Sequence, residues 1–89
     1  MRGVTQRVKF RKDYARQQKR GKNIEKLDAI VFLLTQGSPL PEGSRPHKLS
    51  GEYAGWWECH IENDWLLIYR VTQSEVLLYR TGTHADLFE

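Results

Sequence analysis

Residues 57–70 read Trp57-Glu-Cys-His-Ile-Glu-Asn-Asp-Trp-Leu-Leu-Ile-Tyr-Arg70, and after a short polar gap residues 76–80 read Val-Leu-Leu-Tyr-Arg. Apolar and polar residues alternate along both segments, and β-branched and aromatic residues are frequent, which is typical of half-buried strands. Asn63-Asp64 suits a two-residue turn, because both residue types tolerate left-handed backbone. The pattern predicts three successive antiparallel strands, over residues 56–62, 65–71 and 76–81.

The segment before this sheet is predicted to be mainly helical. Residues 4–10 alternate weakly, as in an edge strand, and a helical pattern follows from Arg11 to a stop near Gly21. Asn23 is suited to cap a second helix, whose apolar positions recur at helical spacing: Ile24, Leu27, Ile30, Val31 and Leu34. A helix stripe and a half-buried sheet face can cover one another. We therefore expect a single α+β domain over residues 1–89, with two N-terminal helices packed on a small, twisted, mostly antiparallel sheet.

Residues 37–46 contain all three prolines and two of the seven glycines, which predicts a surface loop that continues to Tyr53. Loops of this length in a compact domain are often functional. Apolar runs are too short to cross a membrane, and no signal-peptide core follows Met1. The single cysteine, Cys59, excludes an internal disulfide and a cysteine-rich zinc site. We expect a cytoplasmic protein with no membrane partner.

The formal net charge of +3 conceals a strong asymmetry. Residues 1–26 carry ten Lys or Arg against two acidic residues, whereas residues 27–89 carry four against nine. A basic segment of this density is an electrostatic signature of nucleic-acid binding, although a solvated helix face has the same composition.

The chain has three histidines, and the predicted strand order brings two of them towards one end of the sheet. In a three-stranded meander, His60 and Arg80 approach the same edge, and His84 follows just beyond it. Histidine can donate or accept protons near neutral pH, and arginine can neutralise a phosphate. RNA supplies its own nucleophile, the ribose 2′-hydroxyl, so this set fits metal-independent cleavage of RNA by acid-base catalysis.

Other readings of the same residues remain open. Asp64 is also suited to cap a turn and Arg80 to be a surface charge at a strand end, which leaves a non-catalytic RNA-binding or partner-binding module as the alternative. The histidine spacing lacks the short pairs of common zinc sites, and we expect neither a metal nor a cofactor. Cys59 is predicted to point towards the core, and no strained Gly-x-Ser-x-Gly turn is present.

Three motifs carry a family resemblance: His47-Lys-Leu-Ser-Gly, then Glu58-Cys-His-Ile-Glu-Asn-Asp-Trp-Leu-Leu-Ile-Tyr, then Arg80-Thr-Gly-Thr-His-Ala-Asp-Leu-Phe. They resemble the YafQ branch of the RelE/ParE superfamily, the toxins of bacterial type II toxin-antitoxin modules, and the resemblance covers nearly the whole chain. It implies a RelE-like fold and ribosome-dependent cleavage of mRNA in the decoding site. It also implies three partners, namely mRNA on the ribosome, ribosomal RNA and a cognate antitoxin.

Carried over by position, the resemblance nominates six catalytic residues: His47, His60, Asp64, Arg80, His84 and Phe88. The roles we assign are His84 as the acid for the leaving group and either Asp64 or His60 as the base. Arg80 would bind the phosphate, His47 would orient the substrate and Phe88 would stack on a base. A second set, on the basic segment, is expected to bind ribosomal RNA: Lys12, Arg16, Lys19, Arg20 and Lys22. Trp57 departs from the family pattern, which is often basic at that position.

Overall fold

The computed structural model of the protein describes residues 1–88 and has an α+β fold, as predicted. Three helices and a five-stranded sheet follow one another in this order: β1 (Gly3–Gln6), α1 (Val8–Lys19), α2 (Ile24–Gln36), β2 (His47–Lys48), β3 (Trp57–Glu62), β4 (Trp65–Val71), β5 (Glu75–Gly82) and α3 (His84–Phe88). A single 3₁₀ turn, Gly51–Tyr53, precedes β3. No helix within residues 1–88 is long and apolar enough to cross a membrane.

The central meander is confirmed. The sheet order is β1-β5-β4-β3-β2, with every neighbouring pair antiparallel except β1 and β5, which run parallel. Asn63-Asp64 forms the turn between β3 and β4, as expected. Asn23 caps α2 by accepting a hydrogen bond from the backbone N–H of Glu25, and Gly37 ends that helix in the left-handed region at φ 67°.

The prediction of a strand over residues 4–10 was wrong beyond Gln6. The pairing of β1 with β5 ends at Gln6 opposite Leu78, and α1 already begins at Val8. Phe10, which the alternation assigned to the strand, is 1% exposed and packs from the helix into the core. Tertiary packing of this aromatic ring therefore overrides a weak strand pattern.

The two faces of the sheet are covered differently. One face carries Leu67 and Tyr69 of β4 and packs against Phe10 of α1 and Leu27 of α2. The other face carries Leu66 and Ile68 of β4, and its smaller core is closed by Tyr53 and Leu87. We call this second surface the open face, because α1 and α2 do not cover it.

Three elements were absent from the prediction. The loop that was expected to run to Tyr53 contains β2 and the 3₁₀ turn, and the segment after β5 forms α3. Helix α3 packs back onto the open face, where the hydroxyl of Tyr53 donates a hydrogen bond to the carbonyl oxygen of Leu87 at 2.9 Å. All three missed elements border the surface on which the histidines lie.

Candidate active site

Cross-strand register lines up the polar side chains of the open face. His47 of β2 lies opposite Glu58, Glu58 lies opposite Ile68, and Ile68 lies opposite Arg80. One step towards the end of the sheet, His60 lies opposite Leu66, which in turn lies opposite Gly82. The sheet therefore brings His47, His60 and Arg80 to one face, and the chain that leaves β5 brings His84 to the same end.

An irregularity in β5 modifies this register. Ile68 pairs with Arg80 but the next residue, Tyr69, pairs with Leu78, so Tyr79 is the extra residue of a β-bulge. Tyr79 packs with the open-face core, and Arg80 is opposite an open-face residue. Two consecutive residues thus share one face, which strict strand alternation would forbid.

His84 and Asp64 form the best-defined pair of the site. One carboxylate oxygen of Asp64, Oδ1, accepts the backbone N–H of His84 at 2.9 Å and lies 3.0 Å from Nδ1 of its ring. The backbone hydrogen bond, followed by the one from the ring, lowers the pKa of Asp64. Because Nδ1 faces a carboxylate, it carries the proton in the neutral ring and leaves Nε2 free. Both side chains are more than half exposed.

His60 and Phe88 flank the His84 ring. Their ring centres lie 6.2 Å and 6.0 Å, respectively, from that of His84. Nδ1 of His60 lies 3.3 Å from the carbonyl oxygen of Asn63, a contact that the tautomer with the proton on Nδ1 and with Nε2 as acceptor satisfies. Nη2 of Arg45, 3.5 Å from the same Nδ1, is instead satisfied by the other tautomer. The rings of the two histidines are therefore neighbours, and the side chain of His84 is 58% exposed.

His47 belongs to a separate group beside this pair. Its Nε2 lies 3.2 Å from Oε1 of Glu58, which is buried, and its Nδ1 lies 2.9 Å from the carbonyl oxygen of Arg45. Since both nitrogens face acceptor atoms, the arrangement is satisfied when the ring carries two protons or when Glu58 carries one. His47 thus adds a fixed polar group at the β2 edge.

Arg45 was not singled out from the sequence, although it connects the two groups. Its backbone carbonyl contacts His47, and its Nη2 lies 3.5 Å from Nδ1 of His60. It has a positive φ of 46°, a conformation that is uncommon for residues other than glycine. Its position two residues before His47, at the end of a proline-rich loop, was the only sequence signal for it.

The guanidinium of Arg80 is bound by the carboxylate of Asp13, a residue of α1. Nε and Nη2 donate to the two carboxylate oxygens at 2.6 Å and 3.2 Å, and the backbone N–H of Thr81 donates to the same carboxylate at 3.2 Å. Asp13 is 1% exposed. The hydrogen bond to Asp13 raises the pKa of Arg80, so the guanidinium is permanently charged. Nη1 is the guanidinium nitrogen that does not donate to Asp13.

The predicted RNA-binding set divides into two groups. Arg16 and Arg20 contact Asp86 of α3 at 3.4 Å and 2.6 Å, and Lys22 contacts Glu62 at 3.4 Å. Lys12 and Lys19 are exposed and outside the ion pairs found in residues 1–88. Part of the basic character of α1 therefore serves to attach α3, the helix that begins with His84.

Asp86 also helps to cap the N-terminus of α3. It accepts the N–H of Thr83 at 3.0 Å, and its own N–H donates to the Thr83 hydroxyl at 3.1 Å, which is a reciprocal capping arrangement. A Cβ atom on Gly82 would lie 2.7 Å from Oδ2 of Asp86, so only glycine fits there without displacing this carboxylate. The position of His84 therefore depends on Gly82, Thr83 and Asp86.

Replacing Asp86 by asparagine is expected to lower the free energy of unfolding at pH 7 by about 1 kcal/mol, the upper range for exposed ion pairs. The hydrogen bond from Arg20 holds the pKa of Asp86 well below its usual range. Its stabilising contribution is therefore fully present above the unfolded pKa of about 3.9 and is lost as the pH falls towards the folded value. Urea unfolding of both proteins at several pH values measures this. A difference that persists undiminished well below pH 3.9 would contradict the assignment.

The structure also bears on two other kinds of chemistry, nucleophilic catalysis by cysteine and metal binding. Burial raises the pKa of the Cys59 thiol to about 12, and this side chain lies in the core beneath α1 and α2. A buried thiol of this kind is a poor nucleophile. In the part of the chain that the structure describes, no three His, Cys, Asp or Glu side chains converge as metal ligands would.

Comparison with known structures assigns the fold. The crystal structure of YafQ from Escherichia coli strain BL21(DE3) superposes with a TM-score of 0.92 at 37% identity and full coverage of both chains. YafQ in the Escherichia coli DinJ-YafQ toxin-antitoxin complex gives a TM-score of 0.89 at 38% identity, over 99% of this chain and 98% of that one. The protein thus has the fold of a small toxin of a toxin-antitoxin system.

The sequence comparisons define the family more closely. Residues 2–89 match the model of the family described as "Bacterial toxin of type II toxin-antitoxin system, YafQ". The mRNA interferase toxin YafQ of Escherichia coli strain K12 is 41% identical over 80 residues, which is 89% of this chain and 87% of that protein. The chain therefore belongs to the YafQ family of bacterial toxins, and the resemblance inferred from its motifs is confirmed.

Proposed function

We propose that this protein is a ribosome-dependent mRNA endoribonuclease, the toxin of a type II toxin-antitoxin module. The observation that carries the proposal is the exposed His84-Asp64 pair, whose histidine ring lies beside that of His60. The related Escherichia coli protein is named an mRNA interferase, which supports the choice of RNA as the substrate.

The proposed reaction is an attack by the ribose 2′-oxygen on the adjacent phosphorus atom, without a metal. His60 accepts the 2′-hydroxyl proton at Nε2, and His84 donates a proton from Nε2 to the departing 5′-oxygen. The new bond is between the 2′-oxygen and phosphorus, the broken bond is between phosphorus and the 5′-oxygen, and the product is a cyclic phosphate. Ring centres 6.2 Å apart allow the two histidines to act on opposite sides of one phosphodiester.

Asp64 orients the acid in this scheme. Its carboxylate is already bound to the backbone and ring of His84, and its lowered pKa makes it a weaker base than an ordinary aspartate. The same contact stabilises the imidazolium that must donate the proton. We therefore assign the role of base to His60 rather than Asp64.

The remaining residues bind the substrate. The guanidinium of Arg45 supplies positive charge beside His60, where negative charge accumulates as the phosphorus becomes five-coordinate. Nη1 of Arg80, which does not donate to Asp13, can donate a hydrogen bond to a phosphate oxygen. Phe88, at 45% exposure, offers its ring to a base next to His84. His47, fixed by Glu58 and Arg45, orients the strand at the β2 edge.

The open position of the site supports dependence on the ribosome. His84 and Asp64 lie on an exposed surface, where free single-stranded RNA would be held only weakly. Lys12 and Lys19, which remain outside the ion pairs of residues 1–88, are the residues of α1 best placed to bind ribosomal RNA. An enzyme that acts on translating ribosomes works in the cytoplasm. By analogy with the DinJ-YafQ complex, a cognate antitoxin is the proposed inhibitor.

Cleavage of a translated mRNA by the purified protein is expected only when ribosomes are present, with cuts at fixed positions within codons. Primer extension on the same message with and without ribosomes measures this, and a message without a start codon is the control for translation. Equal cleavage of free RNA would contradict ribosome dependence. Bound ribosomes without any cuts would point instead to a non-catalytic binding module.

A further inference from the structure

The open face extends beyond the histidines to a second cluster, at the other side of the Tyr53 ring. The Trp56 and Tyr79 rings are stacked there, with centres 4.6 Å apart and planes inclined by 19°. The guanidinium carbon of Arg70 lies 4.3 Å from the centre of the indole of Trp56, and that of Arg7 lies 5.7 Å from it. Two arginines therefore converge on one tryptophan, and we call these three residues the arginine platform.

The arrangement of Arg70 is fixed by its surroundings. Its Nε donates to the carbonyl oxygen of Gly55 at 3.0 Å, and a Cβ atom on Gly55 would lie 3.0 Å from its Nη2. Gly55 also has a φ of 90°, in the left-handed region that favours glycine. The turn before β3 thus has both the backbone conformation and the space that hold this guanidinium over the indole.

Within residues 1–88, no acidic side chain forms an ion pair with the arginines of the platform. Arg16, Arg20 and Arg80 each contact an aspartate, whereas Arg7 and Arg70 take part in none of the ion pairs found in residues 1–88. Because both guanidinium groups lie within 6 Å of the centre of one indole, their positive charges add there and favour an anion that binds beside them. The platform is therefore suited to bind an anion from outside the protein.

A continuous series of rings connects the platform to the site. From His84, the ring centres follow at 6.0 Å to Phe88, 5.4 Å to Tyr53, 5.9 Å to Tyr79 and 4.6 Å to Trp56. All of these rings lie on or at the border of the open face. A nucleic-acid strand bound at His84 can therefore continue along this face to the platform.

We propose that Arg7 and Arg70, held on Trp56, form a second phosphate-binding subsite for the RNA strand that is cleaved at His60 and His84. This inference rests on the proposed function and adds to it a subsite several nucleotides from the scissile phosphate. Guanidinium groups bind phosphate oxygens through paired N–H donors, and their positive charge is retained at all relevant pH values.

The subsite binds the RNA backbone rather than a base. Tyr79 and Arg70 both lie within 4.6 Å of the centre of the Trp56 ring, too close for both to occupy the same side. Tyr79 and Arg70 therefore cover the two faces of the indole, and Arg7 lies farther from it, at 5.7 Å from the ring centre. Contacts to phosphates carry no direct sequence information, so this subsite raises affinity for RNA without selecting a codon.

Fluorescence anisotropy with uncleavable 2′-O-methyl RNAs of four and ten nucleotides tests the proposal on the wild-type chain. The test variant is Arg7→Ala/Arg70→Ala. The matched control, Lys9→Ala/Lys48→Ala, removes the same charge elsewhere, because Lys9 is exposed on α1 and Lys48 lies over Trp57, whose ring packs on the helix-covered face. Circular dichroism and thermal unfolding check that all variants are folded.

The ten-nucleotide RNA is expected to bind more tightly than the four-nucleotide RNA, and this gain should disappear in Arg7→Ala/Arg70→Ala but not in the control. Two phosphate contacts to a single strand contribute about 1.4 to the slope of log affinity against log salt. The wild-type protein should therefore lose about 7-fold more affinity than the test variant between 50 and 200 mM salt.

Equal losses of RNA affinity in the test and control variants would overturn the proposal. So would equal affinities of the wild-type protein for the four- and ten-nucleotide RNAs. If Arg7→Ala/Arg70→Ala loses binding to a glutamate-rich peptide while its RNA binding is unchanged, the platform binds an acidic protein partner. This result would likewise overturn the proposal. Primer extension on ribosomes separates this result from the proposed function. If the protein cleaves mRNA but does not bind the ten-nucleotide RNA more tightly, the proposal of the platform is wrong and the proposed function stands. If it binds the longer RNA more tightly but does not cleave mRNA, the platform stands and the nuclease assignment is wrong.

Discussion

Replacing His84 by alanine should reduce the rate of RNA cleavage by about 10²- to 10⁴-fold, the range for loss of a general acid. The reason is that His84 is the histidine whose Nδ1 is oriented by a carboxylate, Asp64, and whose Nε2 is free for the leaving oxygen. Its side chain is 58% exposed, so the substitution should hardly change the free energy of unfolding. Primer extension on ribosomes, with ribosome binding measured in parallel, gives the rate.

Asp64→Asn is the informative companion to this variant. If Asp64 only orients His84, the asparagine protein keeps part of its activity, because the amide can still accept the His84 backbone N–H through its oxygen. If Asp64 is the base, activity falls as far as in His84→Ala and the acidic limb of the pH profile, where the base becomes protonated, is lost. A His84→Ala protein that cleaves within tenfold of the wild-type rate would remove this residue from the chemistry.

Replacing Asp13 by alanine should lower the free energy of unfolding by about 3–5 kcal/mol, the range for breaking a buried ion pair from one side. Arg80, with its side chain 16% exposed, would keep its charge without a counterion, and the N–H of Thr81 would lose its acceptor. Urea unfolding at pH 7 measures the change. A decrease of less than about 1 kcal/mol in the free energy of unfolding would mean that solvent stabilises the charge of Arg80 once Asp13 is removed.

A matched control and a rescue variant make this result specific. Arg16→Ala removes a partner that is 3.9 Å from Asp13 and 46% exposed, and should cost at most about 1 kcal/mol. Replacing both members, as Asp13→Leu/Arg80→Met, should recover most of the stability, because an apolar pair can substitute for a buried ion pair. Cleavage that remains absent in this stable protein would indicate that Arg80 itself acts on the phosphate.

The central sheet could be predicted because its signals are local. Strand alternation and the Asn63-Asp64 turn are visible within a few neighbouring residues, and they determine which face His60 occupies. Helix α3 could not be predicted in the same way, since five residues contain too little of a helical period to distinguish it from a tail. Its helical form depends on the reciprocal Thr83-Asp86 hydrogen bonds and on Arg20 from a distant part of the chain.

The candidate site was predictable as a set of residues but not as a set of contacts. Residues whose side chains can take part in catalysis are evident in the sequence. Asp13, in contrast, is one of two acidic residues in a basic segment, and the sequence gives no sign of its burial or of its pairing with Arg80. The bulge at Tyr79 and the left-handed backbone of Arg45 depend on packing across the sheet and around the loop. For the same reason, Arg16 and Arg20 could not be distinguished from Lys12 and Lys19 by sequence alone.

The contacts between α1 and the residues around His84 also bear on when the protein becomes active during folding. Asp13 and Arg80 are 67 residues apart in sequence, and Arg20 and Asp86 are 66 apart. Closing such long segments carries a large entropic cost, so contacts of this kind form late, after the local helices and hairpins. A chain whose meander has formed but whose α1 and α3 have not yet met would have its histidines without their fixed geometry. Nascent or partly folded copies are therefore expected to lack the cleavage activity of the folded protein.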